Sequence, residues 1–237
     1  MGQWHRTVLE PGWAGRGVVA LVCAVAAMGG PVAAQQGAAA QAAPAAWQKE
    51  MAGFEAEDAA SAPVPGGIVF VGSSSIRLWD LRQSFPDLEP VNRGFGGSEI
   101  ADSVEHVDLL VLRHKPRTVI FYAGDNDLAA GKTPAVVAAD YRAFVGKVRA
   151  ALPQTRIAFI AIKPSLLRWA IVGKVREANA LIRAYSESDD RLGFVDVDGP
   201  MLGWDEKPRK DLLQADGLHL TPKGYELWNT LVRPFLD

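Results

Sequence analysis

Five short apolar runs, each followed by a segment with helical spacing, constrain this chain more than anything else in it. The runs cover residues 68–71, 90–92, 118–122, 157–162 and 192–197. Apart from the short second one, Pro90-Val91-Asn92, they are rich in Val, Ile and Phe, so they predict strands buried on both faces. Between them the apolar residues recur at helical intervals. A helix is expected from Ser74 toward Phe85, and another from a Ser98 cap through Val104, Val107 and Leu110. Thr133-Pro134 is an N-cap followed by proline at the first helical position, ahead of a face of Val137, Tyr141, Phe144 and Val148 that ends by Pro153. Val175, Ala178, Leu181 and Ile182 mark a further helix. Thr221-Pro222 starts the last, whose face is Tyr225, Trp228, Leu231 and Val232 and which stops at Pro234. Strand–helix alternation of this kind predicts an α/β fold, a mostly parallel sheet covered by helices on both sides.

The first 46 residues break this pattern. Arg6 and Arg16 precede an apolar stretch over 17–28, then Gly29-Gly30-Pro31 and the small residues of Val32-Ala33-Ala34. That order reads as a secretory signal peptide over 1–34, with an uncleaved N-terminal anchor as the alternative. The Ala/Gln-rich stretch 35–46 reads as a flexible leader. Trp47, Met51 and Phe54 then share one helical face, so the domain is expected over 47–237. The expected location is secreted or periplasmic, without stable membrane insertion once the signal is removed. The net charge of −2 gives no reason to expect a nucleic-acid partner. The only cysteine, Cys23, lies within the signal, so neither an internal disulfide nor a cysteine-based zinc cluster can form.

Polar segments follow the strands: Gly72-Ser73-Ser74, Gly94-Phe95-Gly96-Gly97, Gly124-Asp125-Asn126-Asp127 and Lys163-Pro164-Ser165. In a parallel sheet these share the carboxyl rim, where ligands bind. Asp216-Gly217-Leu218-His219 precedes the last helix. Singly, each has a bland reading: a serine cap, a tight turn, an aspartate pair gripping a cation. Together they supply what acyl transfer by serine needs. Ser74 offers a hydroxyl. His219 is the best base, because His5 lies in the signal and His106 and His114 sit in charged patches that read as solvated. Asp216, three residues before His219, can reach back to the imidazole. The N–H groups of Ser74 and Gly97 and the amide of Asn126 are natural oxyanion donors.

These blocks resemble those of the SGNH hydrolases, also called GDSL esterases/lipases, from about Ile68 to the C-terminus. The resemblance implies a flavodoxin-like three-layer α/β/α sandwich with about five parallel strands. It implies Ser74 as nucleophile, His219 as base, Asp216 as its partner, and an oxyanion hole from Ser74, Gly97 and Asn126, with no metal and no organic cofactor. Ser73 stands where the family's usual Gly-Asp-Ser has aspartate, and the triple serine leaves Ser73 and Ser75 open as alternative nucleophiles. The expected substrate is a small-molecule or glycan ester with a short acyl group, acetyl above all, since no long apolar insertion offers a lid. Arg93, Phe95, Ser165 and Arg168 are expected to line the substrate cleft. Trp169 reads as rim packing or a sugar platform. A lysophospholipase or thioesterase of the same family, and a non-catalytic binding module on the same fold, are the alternatives. The sequence does not fix the oligomeric state.

Overall fold

The structure, a computed structural model, describes residues 47–236. The expected signal peptide and leader lie outside the described residues.

Five parallel strands form one sheet: β1 (Ile68–Gly72), β2 (Val91–Gly94), β3 (Thr118–Tyr122), β4 (Arg156–Ile160) and β5 (Leu192–Val195). Their order is β2-β1-β3-β4-β5, with every pairing parallel. This is the flavodoxin-like order. The period-two geometry of a strand divides the apolar runs between two cores. Val69, Val71, Val119, Phe121, Ile157 and Phe159 face one side, and Ile68, Phe70, Ile120, Tyr122, Ala158 and Ile160 the other. Continuous apolar strands are therefore what a sheet with two buried faces requires.

The first face is covered by α1 (Gln48–Ala60), α4 (Ile100–Glu105), α5 (Val107–Leu110), α7 (Pro134–Ala151) and α8 (Val172–Ser186). The second is covered by α2 (Ser74–Arg77), α3 (Leu81–Ser84) and α9 (Pro222–Val232). A short helix, α6 (Asp125–Ala129), follows β3. The two Thr-Pro starts behave as their sequence predicts. The Thr133 hydroxyl accepts from the N–H of Val136, and that of Thr221 from the N–H of Gly224.

Two expectations change. The helix after Ser74 is interrupted at Leu78-Trp79-Asp80, because Trp79 turns into the second core while Asp80 caps a new helix by accepting from the N–H of Gln83 at 3.0 Å. The Trp79 indole N–H lies 3.0 Å from both the Ser84 hydroxyl and the Asn229 carbonyl oxygen. The helix expected from Ser98 begins later, with Glu99 as N-cap in a reciprocal capping box with Asp102. Ser98 instead donates its hydroxyl to the Phe95 carbonyl at 2.9 Å.

Candidate active site

The site begins where β1 stops. Gly72 has φ of +140°, and a Cβ there would lie 1.8 Å from the Tyr122 carbonyl oxygen, so only glycine fits this turn. The N–H of Ser73 donates to that same carbonyl at 2.9 Å. The chain then enters α2, and its three serines part company. Ser73 is buried and its hydroxyl has no hydrogen-bond partner. Ser75 is also buried and accepts from the Lys163 ammonium at 3.1 Å. Ser74 turns toward the rim, and its Oγ lies 3.0 Å from Nε2 of His219.

His219 arrives on the loop before α9. Its Nδ1 lies 2.5 Å from Oδ2 of Asp216. The other carboxylate oxygen of Asp216 accepts from the backbone N–H groups of Leu218 and His219 at 2.9 and 3.0 Å. The hydrogen bond from His219, followed by those two N–H groups, holds the Asp216 carboxyl at a pKa of about 2. An ionised carboxylate can only accept, so Nδ1 carries the proton and Nε2 is left to accept from the Ser74 hydroxyl. Those are the hydrogen-bonding roles a general base needs.

Gly97 is exposed with φ of +82°, a left-handed conformation that turns the loop after β2 along the rim. The orientation of the Asn126 amide is fixed from both sides. Its Nδ2 donates to the Ser98 carbonyl at 2.9 Å, and its Oδ1 accepts from the Arg168 guanidinium at 2.9 Å. A carbonyl cannot donate and a guanidinium cannot accept, so the amide has only one possible orientation. One N–H of Nδ2 is used by Ser98, and the other remains available to a substrate oxygen.

Beneath the rim lies a buried charged cluster. Arg168 also reaches Oδ2 of Asp125 at 3.0 Å, and Lys163 reaches the same oxygen at 3.3 Å. The Lys163 ammonium also donates to the Tyr122 hydroxyl at 2.9 Å. Burial works to raise the Asp125 carboxyl, but Lys163 and Arg168 overcome it and hold it below its ordinary value. Burial raises the Tyr122 phenol well above its ordinary value. The cluster runs without a break from Ser75, beside the Ser74 hydroxyl, through Lys163, Asp125 and Arg168 to Asn126.

The cleft-lining residues expected from sequence are placed differently. Arg93 is buried under α1, pairing with Glu57 at 2.7 Å and with Asp58, and its guanidinium stacks 4.9 Å from the Phe54 ring. This corrects its expected place in the cleft, since two carboxylates and an aromatic face hold it on the far side of β2. Phe95 is likewise core, in edge contact with Trp47 at 5.3 Å, because the tight glycine loop turns its ring inward. Ser165 is buried and accepts from the N–H of Arg168 at 3.3 Å. Arg168 stands at the rim, but its guanidinium is committed to Asp125 and Asn126. His114 is not solvated. It is buried with its Nε2 3.8 Å from Asp58, and burial, then the charge of Arg93, lowers its pKa. The aspartate pair of the third block does not converge on a cation site: Asp125 faces Lys163 and Arg168, while Asp127 accepts from the N–H of Ile100 and from Lys132. Burial raises the Asp127 carboxyl to about 6.

Sequence reasoning took Lys163 for part of a rim loop. The available signal was its position just past β4, next to the strand that delivers Asp125. Among the described residues no helix is long and apolar enough to cross a membrane.

Comparison with solved structures returns close matches to this architecture. A protein from Streptococcus pneumonia named for platelet activating factor shares 21% identity, with a TM-score of 0.73 over 80% of this chain and 92% of that one. A GDSL-like lipase from Bacteroides thetaiotaomicron shares 20%, with a TM-score of 0.67 over 78% and 95%. A carbohydrate esterase family 3 protein from Talaromyces cellulolyticus shares 18%, with a TM-score of 0.58 over 71% and 95%. At these identities the likeness speaks for the fold alone. No curated protein matches the chain in sequence. The model of the GDSL-like Lipase/Acylhydrolase family matches residues 75–227 of the 237, beginning one residue past Ser74. The chain belongs to that family and is an ester-hydrolysing serine hydrolase.

Proposed function

We propose that the chain is a secreted or periplasmic esterase that releases short acyl groups, acetyl above all, from glycan or small-molecule esters. The observation that carries the reading is the relay Ser74 Oγ–His219 Nε2 at 3.0 Å and His219 Nδ1–Asp216 Oδ2 at 2.5 Å. Nε2 takes the Ser74 proton as Oγ attacks the ester carbonyl. The carbonyl π electrons move onto its oxygen, which the N–H groups of Ser74 and Gly97 and the free N–H of Asn126 receive. Collapse expels the alcohol, which leaves with the proton held on His219. Water then attacks the acyl-serine, its proton passing to Nε2, and the acid departs as Ser74 recovers its proton. Asp216 fixes the imidazole tautomer throughout.

The secreted location rests on the N-terminal sequence. Short acyl specificity is in keeping with the absence of a long apolar insertion in the sequence and with similar folds among carbohydrate esterases. The test is hydrolysis of 4-nitrophenyl esters of increasing acyl length. Ser74→Ala and His219→Ala should each remove nearly all of the rate, and the wild-type rate should fall steeply beyond short acyl groups. Activity retained by either variant sinks the assignment of the triad. A maximum at long acyl chains sinks the short-acyl reading and leaves the triad standing.

A further inference from the structure

One opening beside the catalytic loop belongs to a segment the mechanism does not use. A cleft of about 690 Å³ lies between the loop after β4 and the turn before the 3₁₀ segment Lys210–Leu212, with Leu166, Trp169, Trp204, Asp205, Lys207 and Arg209 among its walls. Trp204 is 99% exposed. Among the described residues no ring or cation packs against it. Exposing a whole indole in water forgoes the burial that large aromatics normally gain. The turn that presents it is firmly tied. Gly203 donates its N–H to the Lys207 carbonyl at 2.8 Å, Glu206 donates its N–H to the Gly203 carbonyl at 3.0 Å, and Leu202 and Pro208 form an antiparallel bridge. Trp169 forms the other wall, its ring covered by the Lys207 ammonium at 4.8 Å.

The cleft shares a wall with the catalytic loop. The N–H of Leu167 donates to the Gly217 carbonyl at 3.0 Å, and Gly217 lies between Asp216 and His219. A Cβ on Gly217 would lie 3.0 Å from that of Leu166, which also lines the cleft. A ligand seated against Leu166 is therefore separated from the loop that carries the base by that one side chain.

We propose that this cleft is a saccharide subsite, in which Trp204 stacks on a sugar ring of the leaving alcohol. The proposal rests on the glycan-esterase reading above. The lining excludes a fatty acyl tail, because charged side chains alternate with the aromatic ones. Arg209 is held by Asp211 at 2.9 Å, so donors and acceptors stand ready at fixed positions for hydroxyl groups. A lipid surface fits less well. Asp205, Glu206 and Asp211 balance Lys207, Arg209 and Lys210 along the segment, and the site is concave rather than flat. An exposed indole face with mixed-sign polar neighbours is suited to a sugar, which has an apolar face and a rim of hydroxyls.

The test compares Trp204→Ala with the wild-type full chain on two substrates, 4-nitrophenyl acetate and O-acetylated xylo-oligosaccharides. Trp204 touches no catalytic group, so the nitrophenyl rate should be unchanged. On the oligosaccharides kcat/KM should fall about tenfold or more, mainly through KM. In Ser74→Ala, the oligosaccharides should quench indole fluorescence saturably, and the additional Trp204→Ala change should abolish that quenching. Equal oligosaccharide kinetics in the two proteins, or equal losses on both substrates, overturns the proposal. So does a Trp204-dependent fluorescence shift seen with phosphatidylglycerol vesicles and not with the oligosaccharides. A wild-type protein active on 4-nitrophenyl acetate and inert on acetylated oligosaccharides overturns the glycan reading and the subsite together, while the triad survives.

Discussion

Arg168 donates to the side-chain oxygen of Asn126 at 2.9 Å, and so fixes which way round that amide lies. Its second terminal nitrogen lies 3.0 Å from the Asp125 carboxylate, a charge contact that favours the same placement. In the proposed mechanism Arg168 is thus a positioning residue for the Asn126 oxyanion donor. Removing such a donor typically costs about 10²–10³ in kcat. Arg168→Ala should lose a part of that, about tenfold, with KM little changed. Arg168→Lys keeps the charge but not the fork, and should recover activity only partly. Steady-state kinetics on 4-nitrophenyl acetate measure this, and a pure KM effect would return Arg168 to the substrate-binding role read from the sequence.

Asp216 should contribute no limb of its own to the pH profile near its ordinary value. Asp216 is held at about 2, below its ordinary value of 3.8, so it is already ionised at any pH where an imidazole titrates. Its folded-state pKa is depressed, so its stabilising contribution is present above the ordinary value and is lost only as pH falls through about 2. Ionisation of Asp216 should therefore add no inflection to log kcat/KM above about pH 4. An inflection near the ordinary carboxyl value that disappears in Asp216→Asn would show that the carboxylate is not held down in this way. Asp216→Asn should lower kcat strongly at every pH, because the amide can present a donor to Nδ1 and favour the wrong tautomer.

The serine register can be tested by replacing the neighbours. Ser73→Ala removes a buried hydroxyl that has no hydrogen-bond partner, so activity should persist and stability should stay within about 1 kcal/mol of wild type. Ser75→Ala takes one acceptor from Lys163, which keeps Tyr122 and Asp125, and should cost about 1 kcal/mol in urea denaturation. Loss of all activity in either variant, with the fold intact by circular dichroism, would move the nucleophile off Ser74.

Lys163→Met should be the most destabilising of these changes. The ammonium is buried and faces a buried carboxylate, a phenol and a hydroxyl. Breaking a buried pair from one side leaves the other charge uncompensated and typically costs about 3–5 kcal/mol. Arg168 still pairs with Asp125, so a value near the lower end is expected. Lys163→Met combined with Asp125→Asn should cost less than the sum of the two single changes. Additive losses in that cycle would deny the coupling.

The sheet was legible because each strand announces itself twice, by an apolar run and by the glycine or hydroxyl that ends it. The two Thr-Pro starts gave helix boundaries to within a residue, since side-chain capping is local. The break at Trp79 was not legible, because it depends on Asn229, 150 residues away, receiving the indole N–H. Arg93 and Phe95 were misread for a related reason. Their position at and just past the end of β2 is right for a cleft, but the partners that draw them inward, Glu57, Asp58 and Trp47, come from α1 and the residue preceding it. Lys163 and Trp204 show the same gap in opposite senses. A buried lysine and a bare indole both contradict what their residue types favour, and only tertiary placement reveals either.

The Ser74–His219 hydrogen bond spans 145 residues of chain. The hydroxyl follows the first strand; the imidazole comes after the fifth, just before the final long helix. Closing so long a loop carries an entropic cost that short-range contacts do not share, so this contact belongs among the late events of folding. A refolding chain can thus hold most of its parallel sheet while still unable to cleave an ester. Regained turnover, unlike regained ellipticity, reports that α9 has docked.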